Sequence, residues 1–199
     1  MTIFGPGSEW FWAMAQFALV AATIVGLARQ IRQQNAAGAL QRLVSLQGDW
    51  ESARLVDARL RVAIWRKHAG TVVPNAEASA PIAVLCNFFE NLADLFEAGY
   101  ITWTEIENTW GRSLVTWWAL LDGTIKDLRG GTITVYVGFE RLAARSLERA
   151  KRRGDHWEVS DEDIPGVLDV QIARNRARLR ILRDIQEGVI PEEPPSAMP

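Results

Sequence analysis

The chain opens with an uncharged stretch, after which apolar residues recur at helical spacing. Residues 10–28 contain no charged side chain, and a helix of that length is about 28 Å long, close to the hydrocarbon thickness of a bilayer. Trp10 and Trp12 stand at its first end and Arg29 and Arg32 at its second, as in helices held at both membrane interfaces. The pattern therefore predicts one transmembrane helix.

The charges around this stretch predict its orientation. No Lys or Arg precedes it, whereas arginines follow it directly, which places the N-terminus outside and the C-terminal domain in the cytoplasm. A cleaved signal peptide has the reverse charge order. The competing interpretation is the buried core helix of a soluble protein, because the stretch is short for a span. Cys86 is the only cysteine, which suits a reducing compartment, so we expect the cytoplasmic (inner) membrane.

The rest of the chain predicts an all-α protein, with a cytoplasmic helical bundle behind the anchor. Four segments differ in composition: a membrane anchor at residues 1–30, a helical domain at 31–153, an acidic connector and basic C-terminal helix at 154–190, and a disordered, proline-rich tail at 191–199. "TITVYVGF" has strand propensity, but it leads directly into a helical pattern, so we expect helix there too.

Capping residues and prolines predict the helix boundaries. The first helix should continue toward Gly48, with Asp49 as the cap of the second. The apolar stripe of that second helix is expected at Ala53, Val56, Leu60 and Ile64. Ser79 should cap the third helix, with Pro81 in its first turn.

The segment "LFEAGYITWTEIE" is similar to the second half of a calcium-binding EF-hand loop. With Gly99 at the turn and Glu105 at the last ligand position, Phe96 and Ala98 would fall where oxygen ligands are needed. Hydrocarbon side chains do not bind a hard cation, so we expect no calcium site. Gly99 instead ends one helix in the left-handed conformation, and Thr102 with Glu105 forms a capping box for the next.

Tryptophans recur every seven residues in the middle of the chain, at Trp103, Trp110 and Trp117, which keeps them near one face of a helix. Aromatic platforms for single-stranded nucleic acid alternate with cations, but only Arg112 and Lys126 are basic around these rings. We therefore expect the rings to pack in a core.

The phrases "CNFFENLADLFEAGYIT" and "TWGRSLVTWWALL", behind a one-span anchor, resemble an uncharacterised family of bacterial membrane proteins, a domain of unknown function. The resemblance covers roughly residues 9–153 and rests on Asn87, Phe88, Phe89, Glu90, Gly99, Gly111 and Trp118. It implies a helical cytoplasmic domain behind a transmembrane helix and supplies no activity.

The polar residues of the N-F-F-E motif need partners if they are buried. On so apolar a helix, Asn87 or Glu90 should be at least partly buried, and a buried polar group is normally hydrogen-bonded. We expect Glu90 to meet an arginine of a neighbouring helix, with Arg61, Arg66 and Arg112 as candidates.

Motifs and composition do not indicate a known kind of enzyme. The chain has no phosphate-binding loop, no dinucleotide-binding glycine pattern, and no zinc-protease or esterase motif. Cys86 lies on a strongly apolar segment, where an inert, packed thiol is expected. Glu90 and Asp94 have the spacing of a solvated helix face. We therefore expect no catalytic residue, no metal ligand and no cofactor.

The C-terminal helix carries the other local pattern. Its apolar positions recur at spacings of four and three, like a coiled-coil seam with one polar member, at Leu168, Ile172, Asn175, Leu179 and Leu182. Five arginines surround the seam and are candidates for partner or lipid contact: Arg174, Arg176, Arg178, Arg180 and Arg183. Packing, self-association or a protein partner ranks first, anionic lipid second and nucleic acid third.

These patterns together predict a membrane-tethered helical interaction or structural module. One alternative is a membrane-tethered binder of nucleic acid or anionic lipid, acting through its arginine-rich C-terminal helices. The formal net charge of −2 disfavours nucleic acid, because such a role would need a local basic patch. The other alternative is an enzyme with an unrecognised site.

Overall fold

The structure is a computed structural model that describes residues 9–69, 76–130 and 134–188. Every regular element in these three ranges is an α-helix, which confirms the predicted all-α class. The helices are α1 (Glu9–Glu51), α2 (Ala53–Ala69), α3 (Ala76–Glu97), α4 (Trp103–Arg129), α5 (Val137–Arg153) and α6 (Ile164–Gln186). The chain divides into two compact units, residues 1–46 and residues 47–199.

The first unit contains most of α1, a continuous helix of 43 residues. The window Trp10–Leu27 has a mean hydropathy of 1.7, and none of it is buried. Large apolar side chains are exposed along it, among them Phe17 at 75 % and Leu19 at 70 %. The predicted apolar N-terminal helix is therefore confirmed: its length and composition suffice to cross a membrane.

The junction between α1 and α2 differs from the prediction. We expected Asp49 to cap α2, but α1 continues to Glu51 and Ser52 is the capping residue. The Leu55 N–H donates to Ser52 Oγ at 3.3 Å, and the Val56 N–H donates to the Ser52 carbonyl at 2.9 Å. Both residues are good caps, so local sequence did not distinguish them.

The second unit, the helical unit from here on, is built on an aromatic core. Helix α2 packs against α3 and α6, and α5 packs against α3 and α4. Trp110 and Trp117 are each 1 % exposed and Trp103 is 7 % exposed, so the predicted core packing of the tryptophans is confirmed. Phe89 and Phe139 stack at 4.5 Å between ring centroids, which joins α3 to α5.

The predicted stripe of α2 is only partly right. Val56 is buried, but Ala53 is exposed, and Leu60 and Ile64 are half-buried. The buried face is formed instead by Leu55, Val56, Ala58, Arg59, Val62 and Ala63. This face is broad because two neighbours, α3 and α6, cover it.

Two further helix boundaries were wrong. Pro81 lies inside α3, which is already helical at Ala76, and not in the first turn after a Ser79 cap. The passage "TITVYVGF" is not helical throughout: Val135 and Tyr136 form a turn, and α5 begins at Val137. The rest of that passage before Thr134, and the tail predicted to be disordered at residues 191–199, lie outside the described residues.

Candidate functional site

The N-F-F-E motif lies on α3 and has a structural role. Phe88 and Phe89 are buried against Trp50, with ring centroids 5.1 and 5.5 Å away, and Asn87 is exposed. Glu90 is half-buried, as expected for at least one of the two polar residues. The two phenylalanines thus join α3 to the end of α1 in the core.

Glu90 caps the N-terminus of α5. Its Oε1 accepts the Gly138 N–H at 3.1 Å, and its Oε2 accepts the Phe139 N–H at 2.8 Å. The expected arginine partner is therefore wrong. The physical reason is that Tyr136, at the start of α5, provides no side-chain cap, and a carboxylate satisfies free N–H groups at the positive end of a helix.

The predicted capping box at the start of α4 is confirmed. Thr102 N–H donates to Glu105 Oε2 at 2.6 Å, and Glu105 N–H donates to Thr102 Oγ1 at 3.4 Å. Gly99 has φ +71°, the left-handed conformation predicted for the end of α3. The hydrogen bonds from the backbone and the hydroxyl of Thr102 lower the pKa of Glu105.

Cys86 is a free thiol packed in the core. It is fully buried, and burial, with the nearby charge of Glu90, raises its pKa to about 12. A thiol with that pKa is protonated at neutral pH and is a poor nucleophile.

A buried carboxylate that was not predicted from the sequence joins α4 to α5. The Glu107 side chain is 3 % exposed and pairs with Arg149 Nε at 3.0 Å and with Arg153 Nη2 at 2.7 Å. Its position between Trp103 and Trp110 on the buried face of α4 was the available signal, because an acid on an apolar face needs charged partners.

The connector between α5 and α6 lies against α4 through Trp157. A Cβ added at Gly111 would lie 3.0 Å from Trp157 Cζ3, so the absence of a side chain there lets the indole approach α4 closely. The guanidinium carbon of Arg153 lies 5.6 Å from the centroid of the Trp157 ring. The same arginine thus contacts both the buried Glu107 and the connector.

The principal candidate site is a cleft of about 690 Å³ between α4, the connector and α6. Its lining combines charged, hydroxyl and apolar side chains, and a volume of this size suits a small molecule. The lining residues are Thr109, Arg112, Ser113, Thr116, His156, Trp157, Glu158, Val159, Asp163, Gly166, Val167, Val170, Gln171 and Arg174.

Helix α6 uses the first half of its predicted seam within the chain. Leu168, Ile172 and Asn175 are buried where α6 packs against α2, whereas Leu179 and Leu182 are only half-buried. The Asn175 amide donates to the Gln171 carbonyl at 2.8 Å, so the polar member of the seam is satisfied locally.

The five arginines of α6 are all exposed. Arg178 pairs with Glu51 at 2.8 Å. The other four, Arg174, Arg176, Arg180 and Arg183, form no ion pair with any of the described residues. They leave a strongly positive surface on this helix.

Arg59 adds buried positive charge beneath α6. It is 6 % exposed, donates to the Trp50 carbonyl at 2.9 Å and lies over the Trp50 ring at 4.0 Å. Burial lowers its pKa to about 10; Glu51 opposes this shift, and repulsion from Arg174 and Arg178 adds to it. No pattern in the sequence singled out Arg59.

Comparison with known proteins adds no relative: the chain matches no protein-family model, no curated protein and no solved structure. The resemblance to a family of one-span bacterial membrane proteins stays a prediction. Within the described residues, no group of three or more His, Cys, Asp or Glu side chains could hold a metal ion.

Proposed function

We propose that this protein is a one-span protein of the cytoplasmic membrane that tethers a helical interaction module to the cytoplasmic face. The observation that carries the proposal is the exposure of the whole apolar window Trp10–Leu27. Leaving so many large apolar side chains in water is unfavourable by about 25 cal/mol for each Å², and a bilayer removes that cost.

Two features favour a span over a cleaved signal sequence. Helix α1 continues without interruption from the apolar window to Glu51, so no extended segment follows the window. Arginines follow the window and no Lys or Arg precedes it, the opposite of the charge order of a signal peptide. The same charge order supports an outside N-terminus and a cytoplasmic helical unit.

The structural role of the motif residues supports an interaction module over an enzyme. Glu90, Glu105 and Glu107 are each engaged in capping or ion pairs, and the thiol of Cys86 is buried. Among the described residues, the cleft and the arginines of α6 are the surfaces we consider for function.

The test of the tethered topology is carbonate extraction followed by protease treatment of intact spheroplasts, with an epitope after residue 188. The full-length protein should stay in the carbonate-washed membrane, and the epitope should survive protease until the spheroplasts are lysed. Release of the full-length protein by carbonate would refute the span, and loss of the epitope from intact spheroplasts would reverse the orientation.

A second candidate function, contact of α6 with anionic lipid, has its own observation. Val170, Ile181 and Ile185 are exposed by 64, 44 and 60 %, and their spacing places them on one side of the helix. By the same spacing Arg174 falls on this side of the helix, and Arg178 and Arg180 fall on either side of it. Apolar residues bordered by basic ones are the pattern of helices that lie in a membrane interface.

Environment-sensitive labelling tests this second candidate. Because Cys86 is buried, a dye added to the variant Ile185→Cys should label the new position selectively. In the reconstituted full-length protein, dye emission should shift to the blue in vesicles containing phosphatidylglycerol and not in pure phosphatidylcholine. Equal emission in both would count against lipid contact by α6.

A further inference from the structure

The charges that line the cleft are unevenly paired. Arg112 on α4 and Arg174 on α6 both line it, both are exposed, and neither forms a hydrogen bond or an ion pair with any described residue. Positive charge is reinforced behind Arg174 by Arg59, which is close enough for mutual repulsion. Two guanidiniums on different elements therefore line one cavity without forming an ion pair with any described residue.

The acids of the cleft, by contrast, are already partnered. Lys151 Nζ lies 3.2 Å from both carboxylate oxygens of Glu158. Asp163 Oδ2 accepts the Ser160 N–H at 3.2 Å and its hydroxyl at 2.6 Å. Neither acid pairs with Arg112 or Arg174, so the guanidiniums of those two arginines are available to an anionic ligand.

Neutral hydrogen-bonding groups lie on the α4 wall of the same cleft. Thr109, Ser113 and Thr116 line it, and their spacing of four and three places the three hydroxyls along one face of the helix. Gln171 adds an amide from α6. Hydroxyl and amide donors beside two guanidiniums are the groups that bind an oxyanion.

An apolar surface completes the lining. Trp157 and Val159 of the connector and Val167 and Val170 of α6 line the cleft, and Val170 is 64 % exposed. Ligand sites commonly combine such a surface with a few polar groups that orient the ligand. The occupant should therefore have both an anionic head and an apolar body.

We propose that this cleft binds a small organic phosphate, with its phosphate held by Arg112 and Arg174 and its apolar body against Trp157 and the neighbouring valines. A phosphate ester carries about −1.5 to −2 charges at neutral pH and three acceptor oxygens, which matches two unpaired guanidiniums better than a singly charged carboxylate does. This site is independent of the membrane topology proposed above.

Isothermal titration of the full-length protein in a neutral detergent tests the proposal, with phenyl phosphate as the probe. Phenyl phosphate should bind. Its affinity should exceed that of inorganic phosphate, which lacks the apolar body, and that of benzoate, which has the same ring but a single charge. Added salt should weaken the binding, because exposed charges are screened. Absence of phenyl phosphate binding would overturn the site, and benzoate binding as tightly would overturn the assignment of a phosphate.

Three arginine variants locate the binding. Arg112→Gln and Arg174→Gln should each weaken phenyl phosphate binding roughly tenfold or more, as expected for the loss of a charge-assisted hydrogen bond. Arg176→Gln is the matched control, because Arg176 is exposed on the same helix and does not line the cleft. It should bind like the wild type, and an equal loss in this control would show non-specific attraction and refute the site.

Gly166 provides a variant that blocks the cleft without removing charge. It lines the cleft, and a Cβ added there meets no atom within 4 Å. Gly166→Phe should therefore place a ring in the cleft and abolish phenyl phosphate binding, while the melting temperature does not fall. A Gly166→Phe protein that binds with wild-type affinity would overturn the proposal.

Discussion

Glu90 and Glu107 are two carboxylates that join helices by different means. Glu90 accepts backbone N–H groups at the start of α5, and Glu107 pairs with two arginines from the end of the same helix. The sequence indicated that Glu90 would need a partner, but not which one, and it gave no prediction for Glu107. Residues distant along the chain supply both, and no local pattern encodes such a pairing.

The cap supplied by Glu90 should be measurable in stability. Glu90→Ala leaves the N–H groups of Gly138 and Phe139 without their acceptor, so we expect a loss of about 1–3 kcal/mol in the free energy of unfolding. Asn87→Ala, three residues earlier on the exposed side, should change stability by less than about 0.5 kcal/mol. Chemical denaturation of both variants is the measurement, and equal losses would contradict the capping role.

Gly138 should tolerate no side chain. A Cβ there would lie 2.6 Å from Ala93 Cβ and 3.1 Å from Glu90 Oε2. Gly138→Ala should therefore destabilise the protein by about 1–3 kcal/mol through overpacking. Gly123→Ala is the matched control, because a Cβ there meets no atom within 4 Å, and it should stabilise α4 by about 0.8–1.0 kcal/mol.

A second variant identifies the source of the strain at Gly138. The double variant Gly138→Ala with Ala93→Gly removes the closer of the two contacts. Its loss in the free energy of unfolding should therefore be smaller than the sum of the losses in the two single variants. Additive losses in thermal or chemical denaturation would show that Ala93 is not the obstacle.

At the scale of elements, caps were predictable where all of their parts are adjacent in sequence. Thr102 and Glu105 are three residues apart and form the expected capping box. Asp49 and Ser52 were equally good caps, and the choice between them depends on how α2 packs. Helix α5 begins at Val137, later than its sequence suggested, because its cap is provided by Glu90 on α3.

The capping box predicts a dependence of stability on pH. Its hydrogen bonds lower the pKa of Glu105 in the folded protein, below the unfolded value of about 4.3. The stabilisation is therefore complete above the unfolded pKa and is lost as the pH falls through the folded pKa. Because Glu105 is only half-buried, screening by solvent keeps the effect small.

Glu105→Gln is the control for this dependence, since glutamine also completes a capping box but does not titrate. Between neutral pH and about pH 3, the wild type should lose more free energy of unfolding than Glu105→Gln does. Identical pH profiles would show that Glu105 contributes no linked stability. Thr102→Ala should cost about 1 kcal/mol at neutral pH, the usual effect of losing an N-cap.

At the scale of the whole molecule, the apolar window and the aromatic core were predictable from sequence, because the first is a continuous uncharged stretch and the second a periodic spacing of tryptophans. The cleft was not. Its lining comes from α4, the connector and α6, and its unpaired arginines are recognisable only once the partners of the neighbouring acids are known. The seam of α6 suggested association, yet its first half packs against α2 within the chain.

The proposed membrane span can be tested by placing the same charge at two positions along α1. Val20→Arg places a charge near the middle of the window Trp10–Leu27 and should cost about 2.5–3.5 kcal/mol of insertion free energy. Val44→Arg is the control, because Val44 is also exposed, at 64 %, and lies on the same helix outside the window. Fractionation of cells expressing each variant should show a smaller membrane-bound fraction for Val20→Arg alone. Both side chains are exposed in the protein, so neither substitution should cause misfolding that would explain a difference between the two variants. Equal membrane-bound fractions would mean that the window does not enter the bilayer.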